Sequence, residues 1–176
     1  MENELLKIIK KIKGSLLGIG MTESILLDAI EENDNIDTCY ILSNVSLTGK
    51  KFNMIKKGRN KKINIKKLKK KFKKKSLDTV ICNYDIIKQF YRSFVPNSIY
   101  INKGYLYIYG NKKDLENLSK KYQRYTKDVE LLENKENYIL KINNTNTKNK
   151  FFKDKIYRIK DFSIDAVDFI TELLIN

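Results

Sequence analysis

The fold is decided by the stretch Ser15-Leu-Leu-Gly-Ile-Gly-Met-Thr22 and by a second apolar run that follows it. Residues 15–19 are short and apolar, as in a buried strand, and Gly20 allows a tight turn directly afterwards. The threonine that ends the stretch is a good N-cap for a helix over residues 23–32. Residues 37–42 predict the next strand, so strand, helix and strand follow one another within about 30 residues. This pattern predicts a βαβ unit with a right-handed crossover.

The rest of the chain predicts further helices and strands. The helix at residues 23–32 is expected to bury a stripe formed by Ile25, Leu26, Ala29 and Ile30. The other predicted helices cover residues 4–13, 63–75 and 85–94, a segment capped by Asn111, and a last segment that begins at Ser163. The other predicted strands cover residues 52–55, 77–82 and 105–109, and a hairpin of residues 129–132 and 138–142. Pro96 is expected to stop a helix, with residues 98–101 extended and a turn at residues 102–104.

This order of elements predicts an α/β fold with a doubly wound, mostly parallel, Rossmann-like sheet and an antiparallel C-terminal hairpin. Residues 16–19 should be the central strand, with residues 37–42 and 79–82 on either side and residues 138–142 inserted antiparallel. Since no linker divides the chain, residues 1–176 are interpreted as a single domain.

Composition excludes several classes of chemistry and of location. No apolar run is long enough to span a bilayer and the N-terminus does not resemble a signal sequence, so we expect a cytoplasmic protein without a membrane partner. Cys39 and Cys82 lie within apolar stretches, which indicates strand interiors rather than a redox pair or a metal site. The chain has no histidine, which excludes histidine-dependent triads and ordinary zinc or non-haem iron sites, and we expect no metal.

The formal charge of +15 raises the question of an anionic partner. The abundance of Lys, Asn and Ile is typical of an A+T-rich, for example bacterial, genome, and the preference for Lys over Arg weakens the charge argument. The densest lysines lie between Lys50 and Lys75, where Ile65, Leu68 and Phe72 at helical spacing predict a basic amphipathic helix. The candidate nucleic-acid contacts are Lys69, Lys70, Lys73 and Lys74. The alternative is a solvated helix face without a partner.

Ligands of doubly wound sheets bind at the carboxyl ends of the parallel strands. Three loops of this sequence leave such ends: residues 18–22, Ser43-Asn44 and Asn83-Tyr84. Gly18 and Gly20 would let the backbone approach a ligand closely. A side chain introduced at Gly20 is therefore expected to block the ligand without unfolding the domain.

Together these elements resemble the class I S-adenosylmethionine-dependent methyltransferases. The resemblance implies that Gly18 and Gly20 lie under the methionine part of the cofactor, with Thr22 in place of a third glycine. It implies that Ser43 and Asn44 lie near the ribose and that Asn83 and Tyr84 face the transferred methyl group. Lys103-Gly104 would match the turn before the fifth strand. The acidic residue that the family has before its first glycine is Leu16 here, and no acidic residue ends the second strand.

Three functional hypotheses follow. The first is a methyltransferase-like protein that binds S-adenosylmethionine, with an anionic acceptor such as RNA bound between Lys50 and Lys75. The second is a non-catalytic module of the same fold that serves binding or assembly. The third is a basic nucleic-acid-binding protein in which the fold is only a scaffold. Dinucleotide binding fits less well, because the third glycine of that fingerprint is missing, and a P-loop is absent from the sequence.

Overall fold

The computed structural model describes residues 3–42, 52–54, 68–134 and 137–145; for residues 52–54 it describes the backbone alone. Ser43, Asn44, most of the predicted basic helix and the predicted C-terminal helix that begins at Ser163 lie outside the described residues. Among the helices in the described ranges, none has the length and apolar character needed to cross a bilayer.

Within these ranges, helices and strands alternate as the sequence predicts. The helices are α1 (Glu4–Lys11), α2 (Ser24–Glu31), α3 (Leu68–Lys71), α4 (Tyr84–Ile87), α5 (Tyr91–Ile101) and α6 (Lys112–Tyr122), with a 3₁₀ turn at Lys88–Phe90. The strands are β1 (Gly14–Ile19), β2 (Ile36–Leu42), β3 (Phe52–Met54), β4 (Leu77–Asn83), β5 (Asn102–Gly110), β6 (Val129–Asn134) and β7 (Asn137–Asn143).

The described strands form one sheet in the order β3-β2-β1-β4-β5-β7-β6. Strands β1 to β5 pair in parallel, and β7 is inserted antiparallel between β5 and β6. The predicted topology is therefore confirmed, with β1 central between β2 and β4. The strand order reverses between β1 and β4, which is where a ligand crevice is expected in such a sheet.

Two apolar clusters cover the two faces of the sheet. On one face, α1 and α2 pack through Leu5, Ile9 and Leu26 against β1 and β2. On the other face, α3, α5 and α6 pack against β4, β5 and β7, with Phe94 and Tyr122 fully buried. Cys39 and Cys82 are buried strand residues, as predicted. Asn111 caps α6 by accepting a hydrogen bond from the Asp114 N–H at 2.9 Å, which is also as predicted.

The predicted start of α2 and its buried face need correction. The helix begins at Ser24, so Glu23 is the N-cap residue and Thr22 lies in the preceding loop. Ile25, expected in the core, is 55% exposed, whereas Leu27 is buried. Each residue turns an α-helix by about 100°, so Ile25 and Leu27 lie on nearly opposite sides of the helix and cannot both face the sheet. The buried stripe is therefore formed by Leu26, Leu27 and Ile30.

The prediction that Pro96 stops a helix is wrong. Pro96 lies inside α5, which continues to Ile101, so residues 98–101 are helical rather than extended. Most of α5 from Phe94 onward is buried. Packing against the sheet thus outweighs the missing N–H of the proline, and the helical run is instead interrupted earlier, at the 3₁₀ turn.

Two further sequence predictions differ from the structure. In the described part of the basic segment, the helix ends at Lys71 rather than Lys75, and Lys75 adopts a φ of 54°. Lys103 and Gly104 form a bulge inside β5 opposite Asp78, not a turn before the strand. The packing of Leu68 and Phe72 into the core is confirmed.

Candidate functional site

The carboxyl ends of β1, β4 and β5 meet at one edge of the sheet, called here the carboxyl edge. They place Gly20, Asn83 and Tyr109 next to one another. Gly20 is tied to β2 by its N–H, which donates to the Leu42 carbonyl at 2.8 Å. Two of the three predicted loops are thus brought together, while the loop at Ser43 and Asn44 lies outside the described residues.

Gly20 is required by the backbone and by its neighbours. Its φ is +69°, in the left-handed region that favours glycine. A Cβ atom built there would collide with Ile86 Cγ1 and lie 3.1 Å from Ile86 Cβ and 3.3 Å from Asn83 Cβ. The free side of Gly20 is therefore filled by protein side chains.

Gly18 is enclosed in a similar way. A Cβ atom at Gly18 would lie 2.8 Å from Met21 Sδ and 2.8 Å from Ile41 Cδ1. Met21 is fully buried, so the middle of the loop between β1 and α2 turns inward. The absence of side chains at both glycines serves internal packing.

Asn83 organises the centre of the carboxyl edge. Its side-chain oxygen accepts the Asp85 N–H at 2.9 Å and so caps α4. Beside it, the Tyr109 hydroxyl donates to the Gly20 carbonyl over a long 3.5 Å. Burial, followed by the nearby Glu23, raises the pKa of Tyr109 well above its usual value, so this hydroxyl stays protonated.

Tyr84 is half-buried beside Asn83. A Cβ atom at Gly110 would lie 2.9 Å from Tyr84 Cβ, so Tyr84 packs closely on the end of β5. Burial, followed by the negative charges of Asp114 and Asp85, raises the pKa of Tyr84 above its ordinary value of 10.0. Its hydroxyl is neutral at physiological pH and can donate a hydrogen bond, but it is a poor general base.

The accessible part of the carboxyl edge lies at the start of α2. Thr22 and Glu23 are exposed, and Glu23 makes no side-chain capping hydrogen bond. The first N–H groups of α2 therefore carry no side-chain cap, and helix N-termini of this kind attract anionic groups. The exposed Ile25 adjoins them in the first turn.

Sequence reasoning missed two residues of this edge, Tyr109 and Ile25. Tyr109 could have been found by the strand-end rule, because it lies one residue before the end of β5 and pairs with Asn83. No sequence signal marked Ile25, because its apolar character fits a buried stripe equally well.

The predicted nucleic-acid contacts lie elsewhere. Lys70, Lys73 and Lys74 are exposed, and Lys69 Nζ lies 5.1 Å from the ring centre of Tyr100. These lysines precede the amino end of β4, whose seven residues span about 20 Å to the carboxyl edge. The structure does not bring them together with Asn83 and Tyr84.

Comparison with solved structures identifies the fold. Spermidine synthase from Thermotoga maritima superposes with a TM-score of 0.60 at 9% identity over 86% of this chain. This chain spans only 59% of that enzyme's length. Precorrin-6y C5,15-methyltransferase from Geobacter metallireducens superposes with a TM-score of 0.55 at 7% identity, and the match covers 78% of this chain and 83% of that enzyme. M. capricolum TrmK in complex with S-adenosyl-homocysteine superposes with a TM-score of 0.50 at 16% identity, and the match covers 84% of this chain and 70% of TrmK.

The fold is methyltransferase-like. This agrees with the family resemblance in the sequence, at the level of architecture. No protein-family model matches the sequence, and no curated protein matches it. At identities of 7–16%, the superpositions establish the fold alone.

Proposed function

We propose that this protein binds an adenosyl ligand, S-adenosylmethionine or a close relative, at the carboxyl edge and acts as a methyltransferase. The observation that carries the proposal is the meeting of β1, β4 and β5 at the point where the strand order of a methyltransferase-like sheet reverses. This is where doubly wound folds bind nucleotides. The TrmK structure holds S-adenosyl-homocysteine, which makes the same class of ligand the first to test.

The residues present fit such a ligand in part. Thr22, the uncapped N–H groups of α2 and the half-buried Tyr84 are the groups available to hold it. Gly18 and Gly20 face protein side chains, so the ligand would lie against the outer part of the loop rather than on these glycines. Ser43 and Asn44, which the resemblance places near a ribose, complete the proposed set.

S-adenosylmethionine, when bound, supplies an electrophilic methyl group, and transfer to an acceptor depends mainly on alignment. Tyr84 would orient the acceptor as a neutral hydrogen-bond donor, because its pKa is raised. Asn83 would hold the start of α4 in place, since its side-chain oxygen already accepts the Asp85 N–H. An anionic acceptor such as RNA fits the charge of +15, and Lys69, Lys70, Lys73 and Lys74 are the proposed contacts.

Calorimetric and thermal titration with S-adenosylhomocysteine tests the binding proposal. At about a hundred times its dissociation constant, the ligand should stabilise the fold by roughly 2.7 kcal/mol and raise the melting temperature by about 5–10 °C. Thr22→Glu should abolish the shift, because it adds bulk and negative charge to an exposed loop residue. Gln123→Glu, an exposed position at the end of α6, is the matched control and should leave the shift unchanged. No shift in the unmodified protein at millimolar ligand would refute adenosyl binding.

A second candidate is a non-catalytic module of the same fold. It is favoured by the engagement of Asn83 in an internal hydrogen bond and by the filled space beside Gly20. The two candidates separate when methyl transfer from labelled S-adenosylmethionine to total cellular RNA is measured. Incorporation that is lost in both Tyr84→Ala and Tyr84→Phe, while both variants stay folded and bind the ligand, would contradict the non-catalytic candidate. Binding without incorporation in the unmodified protein would support it.

A further inference from the structure

One face of the sheet is incompletely covered, and the cause is the path of α1. The helix starts over the end of β6, where the Glu4 N–H donates to Asn134 Oδ1 at 2.8 Å, and it ends just before β1. Asn134 lies at the carboxyl edge, because β6 runs parallel to β5. The helix therefore crosses the face diagonally and leaves uncovered the amino-terminal half of β5 and the carboxyl-terminal half of the antiparallel β7.

A groove of about 550 Å³ occupies this uncovered area. Such a volume falls within the roughly 300–1,000 Å³ typical of ligand pockets. Three α1 residues at helical spacing and the C-cap residue Ile12 form one wall of the groove, and residues of β4, β5, β6 and β7 form most of the rest. Its lining includes Ile8, Ile12, Tyr105, Tyr107, Leu132 and Lys141.

Two tyrosines form an aromatic platform in the groove. Tyr105 and Tyr107 lie two residues apart on β5, hence on the same face, with ring centres 6.0 Å apart and planes inclined by 24°. Tyr105 is 39% exposed and, apart from Ile25, is the only exposed large hydrophobic residue in the described part of the chain. Burial, followed by Tyr105 and Glu130, raises the pKa of Tyr107 to about 12, so its ring stays uncharged.

The charge in the groove is positive once its ion pairs are considered. Asp78 is neutralised by Lys103 at 2.9 Å and also accepts hydrogen bonds from the Ser15 N–H and hydroxyl. The other lining carboxylate, on α1, pairs with a lysine one helical turn later at 3.3 Å. Lys11 and Lys13 are exposed and pair with no carboxylate among the residues that the structure describes.

We propose that this groove binds single-stranded nucleic acid, with a base stacked on Tyr105 and phosphates beside Lys11 and Lys13. Exposed aromatic rings in a cationic groove are the recurring features of sites that bind single strands. An amphipathic protein segment would bury several large apolar side chains, whereas Tyr105 is the one exposed large apolar residue of the groove. Duplex bases are already stacked and cannot use the platform.

The groove is separate from both sites discussed above. It lies on the α1 face of the sheet, whereas Lys69 and Lys70 lie on α3, which packs on the opposite face. It also lies toward the amino ends of the strands, away from Asn83 and Tyr84. The proposal therefore stands whether or not an adenosyl ligand binds at the carboxyl edge.

The proposal is tested by fluorescence anisotropy with a labelled single-stranded RNA of six nucleotides at about 50 mM salt. Single-stranded DNA and duplex RNA of the same sequence are the further probes. Tyr105→Ala should weaken single-strand binding about tenfold or more, and Tyr105→Phe should restore it, because the ring rather than the hydroxyl stacks. Lys11→Gln with Lys13→Gln should reduce the slope of log affinity against log salt by about 1.4, since each phosphate contact to a single strand contributes about 0.7.

The matched control removes the same charge from the opposite face of the sheet. Lys113→Gln with Lys120→Gln on α6 should leave both affinity and salt slope nearly unchanged. Lys11 and Lys13 are exposed, so their variants keep the test valid even if Tyr105→Ala fails to fold. The proposal is overturned if the parent does not bind the single strands, if duplex binds equally well, or if the control weakens binding as much as the groove variants. It is also overturned if polyglutamate competes as well as unlabelled RNA at equal charge, because stacking would then contribute nothing.

Discussion

Gly20→Ala is expected to destabilise the fold, because the free side of Gly20 faces the protein. Its φ of +69° disfavours any residue with a Cβ atom, at about 1–2 kcal/mol. The new methyl group would also collide with Ile86, and overpacking of this kind typically costs about 1–3 kcal/mol. The reduced entropy of the unfolded chain returns about 0.4–1 kcal/mol.

The net loss in the free energy of unfolding should be about 2–4 kcal/mol. For a domain of this size, this corresponds to a fall in melting temperature of roughly 5–15 °C. The glycine turn in the sequence predicts instead that a side chain at Gly20 blocks a ligand without unfolding the domain. Urea denaturation of the ligand-free protein distinguishes the two predictions.

A double-mutant cycle separates backbone strain from overpacking. Ile86→Ala removes Cγ1, the Ile86 atom with which the new Cβ would collide, so the double variant with Gly20→Ala should be about 1–3 kcal/mol more stable than additivity predicts. Ile25→Ala, an exposed apolar residue of α2, is the matched control and should combine additively with Gly20→Ala. A loss below about 1 kcal/mol for Gly20→Ala, or additivity in both cycles, would refute this packing interpretation.

Three further predictions concern the core and the acid stability. Tyr122→Phe should lower the free energy of unfolding, measured by urea titration, by about 1 kcal/mol, because it removes the buried 2.8 Å hydrogen bond between the Tyr122 and Ser98 hydroxyls. An unchanged free energy of unfolding would contradict a stabilising role for this hydrogen bond. Cys39 and Cys82 should react with a thiol reagent only after unfolding, because burial raises the pKa of both thiols, that of Cys39 to about 12. Fast labelling of the native protein would contradict their burial in the sheet. Burial alone would raise the pKa of Asp78, but its hydrogen bonds and ion pair lower this pKa below the ordinary value of 3.8. The unmodified protein should therefore be more stable than Asp78→Asn at pH 7, and this difference in the free energy of unfolding should decline as the pH falls below about 3.8. A stability difference that does not change with pH would contradict the role of Asp78.

The topology could be predicted from the sequence because strand residues and turn residues alternate clearly. The apolar residues of β1, β2 and β4 and the glycine turn after β1 predict a central β1, and the pairing confirms it. The cap at Asn111 was equally predictable, because an asparagine followed three residues later by an acidic residue is a local signal.

The sequence predictions that proved wrong concern features that depend on tertiary packing. Pro96 is a local helix breaker, but the burial of its neighbours in α5 outweighs that preference. Residues 102–104 carry turn residues, yet two of them form a bulge in β5 that faces Asp78. The filled space beside Gly20 could not be predicted, because Ile86 lies 66 residues away in the chain.

The candidate site was predictable only in outline. The strand-end rule placed Asn83 and Tyr84 next to Gly20, but it did not reveal that the Asn83 amide is already hydrogen-bonded. The groove on the α1 face escaped sequence reasoning altogether. It results from the diagonal path of α1, and only the tertiary structure reveals it.

Adenosyl binding at the carboxyl edge is tested most directly by amide chemical shifts of the isotope-labelled protein during titration with S-adenosylhomocysteine. Saturable shifts are expected at Thr22, Ser24 and Tyr84, with no comparable change at Tyr105 in the groove on the opposite half of the sheet. Unchanged spectra at millimolar ligand, or shifts confined to residues remote from the ends of β1 and β4, would contradict adenosyl binding at this edge.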